Sequence, residues 1–167
     1  MTYTQSAVET ELLISWMDSQ REHAIEILDG LSDEDLRRPI TASGWSCLGM
    51  IGHLAGLERF WFRAIVMGDP GASSDLDVSV EWQVPPEIST QRVFASYRHE
   101  IEMANAIIRA TPLDAAPRWW PDFFDDFQLS TLHEIILHTM TETAAHAGHL
   151  DSARERIDGR QWLVLDV

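Results

Sequence analysis

No proline interrupts residues 130–158, and within them Leu132, Ile135, Ile136, Met140, Ala147, Leu150 and Ala153 recur at the spacing of one helix face. The stretch reads as a single long amphipathic helix, with Ser130 as N-cap and Gly159 as stop. Its polar face is not ordinary. His138, Glu142, His146 and His149 follow one another at one-turn intervals. At about 100° per residue, with Glu142 at zero, they lie near −40°, 0°, +40° and −20°, an arc of roughly 80°. The apolar residues occupy about +20° to +160° on the same scale. A divalent metal is the commonest reason for a helix to gather three imidazoles and a carboxylate on one stripe. His146 lies against the apolar sector and Glu142 at its edge, so these two, at i and i+4, form the candidate ligand pair. His138 is farthest toward solvent. His149 lies between, as a fourth ligand, a proton shuttle or a residue of the rim.

A zinc-peptidase string is tempting at His133-Glu134, but the next histidine is His138, which makes the spacing HExxxH. Those two histidines differ by about 140° on a regular helix and cannot share an ion. A di-iron carboxylate site would need Glu-x-x-His pairs, and no glutamate has a histidine three positions later.

Three further helices are expected, at about 6–30, 46–68 and 89–110, with Ser46 capping the second and Ser89 or Thr90 starting the third. Leu12, Leu13, Trp16, Met17, Gln20, Ala24, Ile27, Leu28 and Leu31 trace an inner stripe on the first; Val93, Tyr97, Ile101, Ala104 and Ile108 trace one on the third. The proline-bearing links 69–88 and 111–129 are long for an up-down arrangement, so the fold expected over 1–167 is a single all-α four-helix bundle with long crossover loops. Short extended pieces at 78–84 and 162–167 are candidates for strands.

The second helix carries His53 in the middle of its apolar face, with Leu57 and Met50 on one side and Phe60 on the other. Gly49, Gly52 and Gly56 run beside it as a strip that would let another helix approach closely. A lone histidine in such a place is ordinarily a hydrogen-bonded core residue. With Glu142 and His146 also facing inward, it becomes the third candidate ligand, completing a two-His, one-carboxylate set with open positions. Trp119 and Trp120, followed by Phe123, Phe124 and Phe127, either pack under their long loop or fold over the site as an apolar pocket wall. Cys47 reads as a small core residue.

Twenty-seven acidic against twelve basic residues give a net charge of −15, which excludes nucleic acid and anionic membrane surfaces as partners. A single cysteine, no signal-like N-terminus and no run of about 18 apolar residues point to a cytoplasmic protein.

The strings Gly52-His53-Leu54-Ala55-Gly56-Leu57-Glu58-Arg59-Phe60-Trp61-Phe62 and His138-x3-Glu142-x3-His146-x2-His149, with Asp151, Arg154, Glu155 and Asp158-Gly159 behind the second, resemble the DinB-like superfamily. The resemblance is nearest to the metal-binding domain of mycothiol-dependent maleylpyruvate isomerase, and the Arg21 helix followed by Leu31-Ser32-Asp33-Glu34-Asp35-Leu36 extends it over nearly the whole chain. It implies a four-helix bundle holding a divalent metal, most often Zn2+ with Ni2+ as the alternative. Matched residue by residue, the implied ligands are His53, Glu142 and His146. It also implies thiol-dependent transfer or isomerisation of a small electrophile, with mycothiol or a similar thiol as co-substrate, and a homodimer. A non-catalytic metal- or ligand-binding module and a metal-dependent hydrolase remain as alternatives.

Overall fold

The computed structural model describes residues 3–74 and 82–162; the candidate extended pieces at 78–84 and 162–167 lie largely outside them. Among the described residues there is no strand, only an isolated bridge between Pro39 and Ser46. The long helices are α1 (Tyr3–Glu26), α3 (Cys47–Glu58), α4 (Thr90–Ala110) and α5 (Leu132–Asp158), with a five-residue helix α2 (Asp33–Arg37) between the first two. Ser32 caps α2, accepting from the Asp35 N–H, and three acidic residues fill its first turn, where the helix dipole favours them. The rod of α3 continues through π-helical turns over Arg59–Val66, which bury Trp61, Phe62, Ala64, Ile65 and Val66.

Helix directions follow from the side chains that bridge them. Glu9 meets His133 and His23 meets Asp151, so α1 and α5 run parallel. Glu11 pairs with Arg109 and Asp18 with Asn105, so α4 opposes α1. His53 faces His146 and Trp61 faces His138, so α3 opposes α5. Of the two long links, the first does cross over: by Trp82 it is back at the start of α3, where the Trp82 carbonyl accepts from Ser46 N–H at 3.1 Å. The second does not. Arg118 and Trp119 donate to the Ile65 carbonyl, and Leu132 and His133 donate to Ala115 and Leu113, so 111–131 packs back onto the end of the bundle it came from.

The inner face of α1 differs from the one its hydropathy predicts. Met17, Ala24, Ile27 and Leu28 of the expected stripe are buried, but Leu12 and Trp16 are 56% and 59% exposed, and Ile14 and Arg21 point inward in their stead. The buried series includes an arginine, which a hydropathy pattern passes over. Arg21 donates to both Glu58 carboxylate oxygens, at 2.8 and 2.7 Å, and also to Asp18 and Asn105. This ion pair sits between two apolar clusters that fill opposite ends of the bundle, with Leu57 packed against both.

Candidate metal centre

The stripe on α5 is positioned by its first turn. Thr131, not Ser130, is the N-cap: its hydroxyl accepts from the Glu134 N–H while the Glu134 carboxylate takes the Thr131 N–H, a reciprocal box. Glu134 thus has a structural task unrelated to a peptidase motif. On α3, the Ser46 hydroxyl caps the first turn by accepting from Gly49 N–H at 3.0 Å.

These two helices bring His53 and His146 together, with ring centroids 4.8 Å apart and planes nearly perpendicular. Glu142 Oε2 lies 3.8 Å from His146 Nε2, and the His149 ring is 5.6 Å from that of His146. His146 is enclosed, its side chain 14% exposed, whereas Glu142 stands at the mouth at 44%. His53 is half-buried rather than central to the core, because the apolar face of α3 turns toward α4 and leaves His53, with Leu57 and Phe60, along the α3–α5 groove. His149 is exposed at the rim.

As the side chains stand, no group of three metal-capable residues among the described ones converges on one point. Pairwise adjacency is nevertheless close to what an ion requires. Two ligands each about 2.1 Å from a tetrahedral metal lie roughly 3.4 Å apart, and the Glu142–His146 contact is within half an ångström of that. His146 Nε2 is the ring nitrogen turned to Glu142, while Nδ1 is buried without a hydrogen-bond partner. Burial pushes the His146 ring down to about 4, with the neighbouring His53 adding to the effect. Burial lowers His53 as well, partly opposed by the charge of Glu142. Both imidazoles are therefore neutral at neutral pH, the form that offers a lone pair. On donor type, charge state and adjacency the three residues fit a divalent ion.

Aromatic residues bound the groove at both ends. Trp82 covers His53 at 4.7 Å and reaches His146 at 6.3 Å, and Trp45 approaches His149 at 6.4 Å. At the other end His138 meets the Trp61 edge at 4.7 Å and Phe127 at 5.6 Å. Trp120 packs on Trp61 and Phe124, and its indole N–H donates to the Phe127 carbonyl. Trp119 joins the same half-buried cluster. These two tryptophans thus stand at the His138 end of the groove rather than over His146. Cys47 is fully buried, and burial raises its thiol to about 11, which removes it as a nucleophile. Cavities of about 390 and 300 Å³ open along α1 and α4 beside Arg109, and neither includes a residue of the α5 stripe. Chemistry rather than volume marks the site.

Trp82 and Trp45 were not legible as site residues. Both lie in irregular segments where no periodicity assigns a face, and their proximity to the histidines is a long-range contact. Trp61 did lie on the His53 side of its helix by spacing alone.

A family model described as mycothiol-S-transferase matches residues 12–159 of the chain. No curated protein and no solved structure matches it.

Proposed function

The chain belongs to the mycothiol-S-transferase family, and from that premise we propose that it joins intact mycothiol, or a similar low-molecular-weight thiol, through its sulfur to a small electrophile for transfer or isomerisation, the thiol losing its proton, at a metal centre formed by His53, Glu142 and His146. The observation that carries the reading is the meeting of His53 from α3 with His146 from α5, with the Glu142 carboxylate one helical turn away. A divalent ion held by these residues, Zn2+ before Ni2+, would supply positive charge that favours the thiolate form of the co-substrate.

The protein's own residues do the rest. His53 and His146 stay neutral through burial and so offer lone pairs at neutral pH. The Glu142 carboxylate would offset one unit of such an ion's charge and so moderate how strongly the site acidifies a thiol. Trp82 on one side and Trp61 on the other narrow the access of water to the groove. The Trp119–Trp120 segment is the apolar wall of its far end, suited to the electrophile. His149, exposed beside His146, is placed to exchange protons with solvent. The protein acts as a homodimer in the cytoplasm in this reading.

The test joins metal content to thiol dependence. Purified protein should carry about one divalent ion per chain by elemental analysis, and His53→Ala should lose it. Glu142→Gln should bind zinc more weakly and lose thiol-dependent turnover while remaining folded. Glu142→His should keep the ion. Activity that persists when the thiol is omitted would make the protein a hydrolase. Unchanged zinc affinity in Glu142→Gln would transfer the ligand assignment to His149.

A further inference from the structure

Trp82 has φ +57°, in the left-handed region that a bulky side chain rarely adopts. The turn is held there from several directions. The Trp82 carbonyl accepts from the Ser46 N–H at 3.1 Å and the Ser46 hydroxyl at 3.2 Å, at the capped start of α3. The neighbouring Gln83 amide donates to the Gly44 carbonyl, and the Val84 carbonyl accepts from Arg37. The chain comes so near to α3 that a Cβ at Gly49 would lie 2.0 Å from the Trp82 oxygen. A small-residue strip on this helix was expected to admit another helix; what approaches Gly49 is a loop carbonyl. The result of this clamping is that the indole lies over His53, ring centroids 4.7 Å apart, on the edge of the His53–His146 pair.

Strain sustained by so many contacts persists because the surroundings over-determine it, and here its product is the placement of one ring on another. We propose that Trp82 is a positioning residue: the left-handed turn clamped to Ser46 and Gly49 presses the indole on the His53 imidazole and fixes that ring in its perpendicular relation to His146. Without the indole, His53 has open space on one face and explores other rotamers, and any ligand that needs both imidazoles must reorder it on binding. The metal reading enters only through the consequence for zinc affinity. The positioning itself is a property of the metal-free protein.

Asparagine adopts the left-handed region with little penalty, so Trp82→Asn keeps the turn while deleting the indole. In metal-free protein, the cross-ring nuclear Overhauser effect between His53 and His146 should disappear in Trp82→Asn and return in Trp82→Phe. Gly49→Ala, which leaves the indole in the sequence but pushes its backbone away, should lose it too. Zinc affinity, measured by competition with a chromophoric chelator, should fall at least tenfold in Trp82→Asn and largely recover in Trp82→Phe, in line with the loss typical when a ligand's orienting partner is removed. A His53–His146 cross-peak that survives in Trp82→Asn overturns the proposal, and so does zinc affinity in that variant equal to the wild type. A wild-type protein that binds no zinc counts against the metal centre alone, because the cross-peak is read without metal and decides the positioning independently.

Discussion

His146 is an imidazole held far from its ordinary protonation behaviour. Burial, helped by His53, holds its ring at about 4 against an ordinary 6.5. The sign follows from which state takes up the proton. Between those values the unfolded chain binds a proton that the folded ring refuses, so the stability tied to the neutral ring is present above about pH 6.5 and drains away as pH falls toward 4. The size is up to roughly 3 kcal/mol for a shift of that extent in an enclosed group. Metal-free protein unfolded with urea at pH 7, 5.5 and 4 should show this decline, and His146→Gln should show a visibly flatter one. Equal slopes for the two would mean that the ring is not shielded. The α5 stripe was legible at this scale because helical spacing alone places His138, Glu142, His146 and His149 together. The aromatic partners of His53 were not, because Trp82 reaches it from a loop.

At the scale of elements, α1, α3 and α4 are joined by a buried ion pair rather than by apolar contact alone. Burial works against the Arg21 charge, but the Glu58 carboxylate and the hydrogen bonds it accepts outweigh that and keep the guanidinium protonated. Both side chains are 1% exposed. Removing one partner strands the other, so Glu58→Ala should cost about 3–5 kcal/mol in chemical denaturation. The double variant Arg21→Met/Glu58→Met should recover much of that loss, since a buried pair replaced by apolar groups of similar volume is often neutral. Additive losses would show that the two residues act independently. Next to this pair, Arg59 and Arg63 of the π-helical turns reach Glu100 of α4 at 2.8 and 3.2 Å. This polar seam explains why the hydropathy reading rotated α1: a helix face that buries an arginine looks like a surface face until its partner is known. The start of α5 is a different case: Glu134 stands three residues after Thr131, a capping-box spacing that is local and favours Thr131 over Ser130.

At the scale of the whole molecule, the rotation of α1 leaves Val8, Leu12 and Trp16 exposed at one-turn intervals, 67%, 56% and 59% respectively. That apolar ridge is where the proposed homodimer would be expected to form. Light scattering at micromolar concentration should give twice the 19.0 kDa chain mass, and Leu12→Glu with Trp16→Glu should give the chain mass with the fold intact. A wild-type monomer would end the dimer reading.

The helices, their approximate limits and the metal-capable stripe on α5 are local properties: periodicity, caps and prolines act within a few residues and so are written along the chain. That the bundle pairs α1 with α5 in parallel, sends 69–88 but not 111–131 across its length, and seats a strained tryptophan on His53 was decided by packing. Those outcomes depend on which faces find each other across dozens of intervening residues, and the buried Arg21–Glu58 pair can be recognised only once two helices stand side by side.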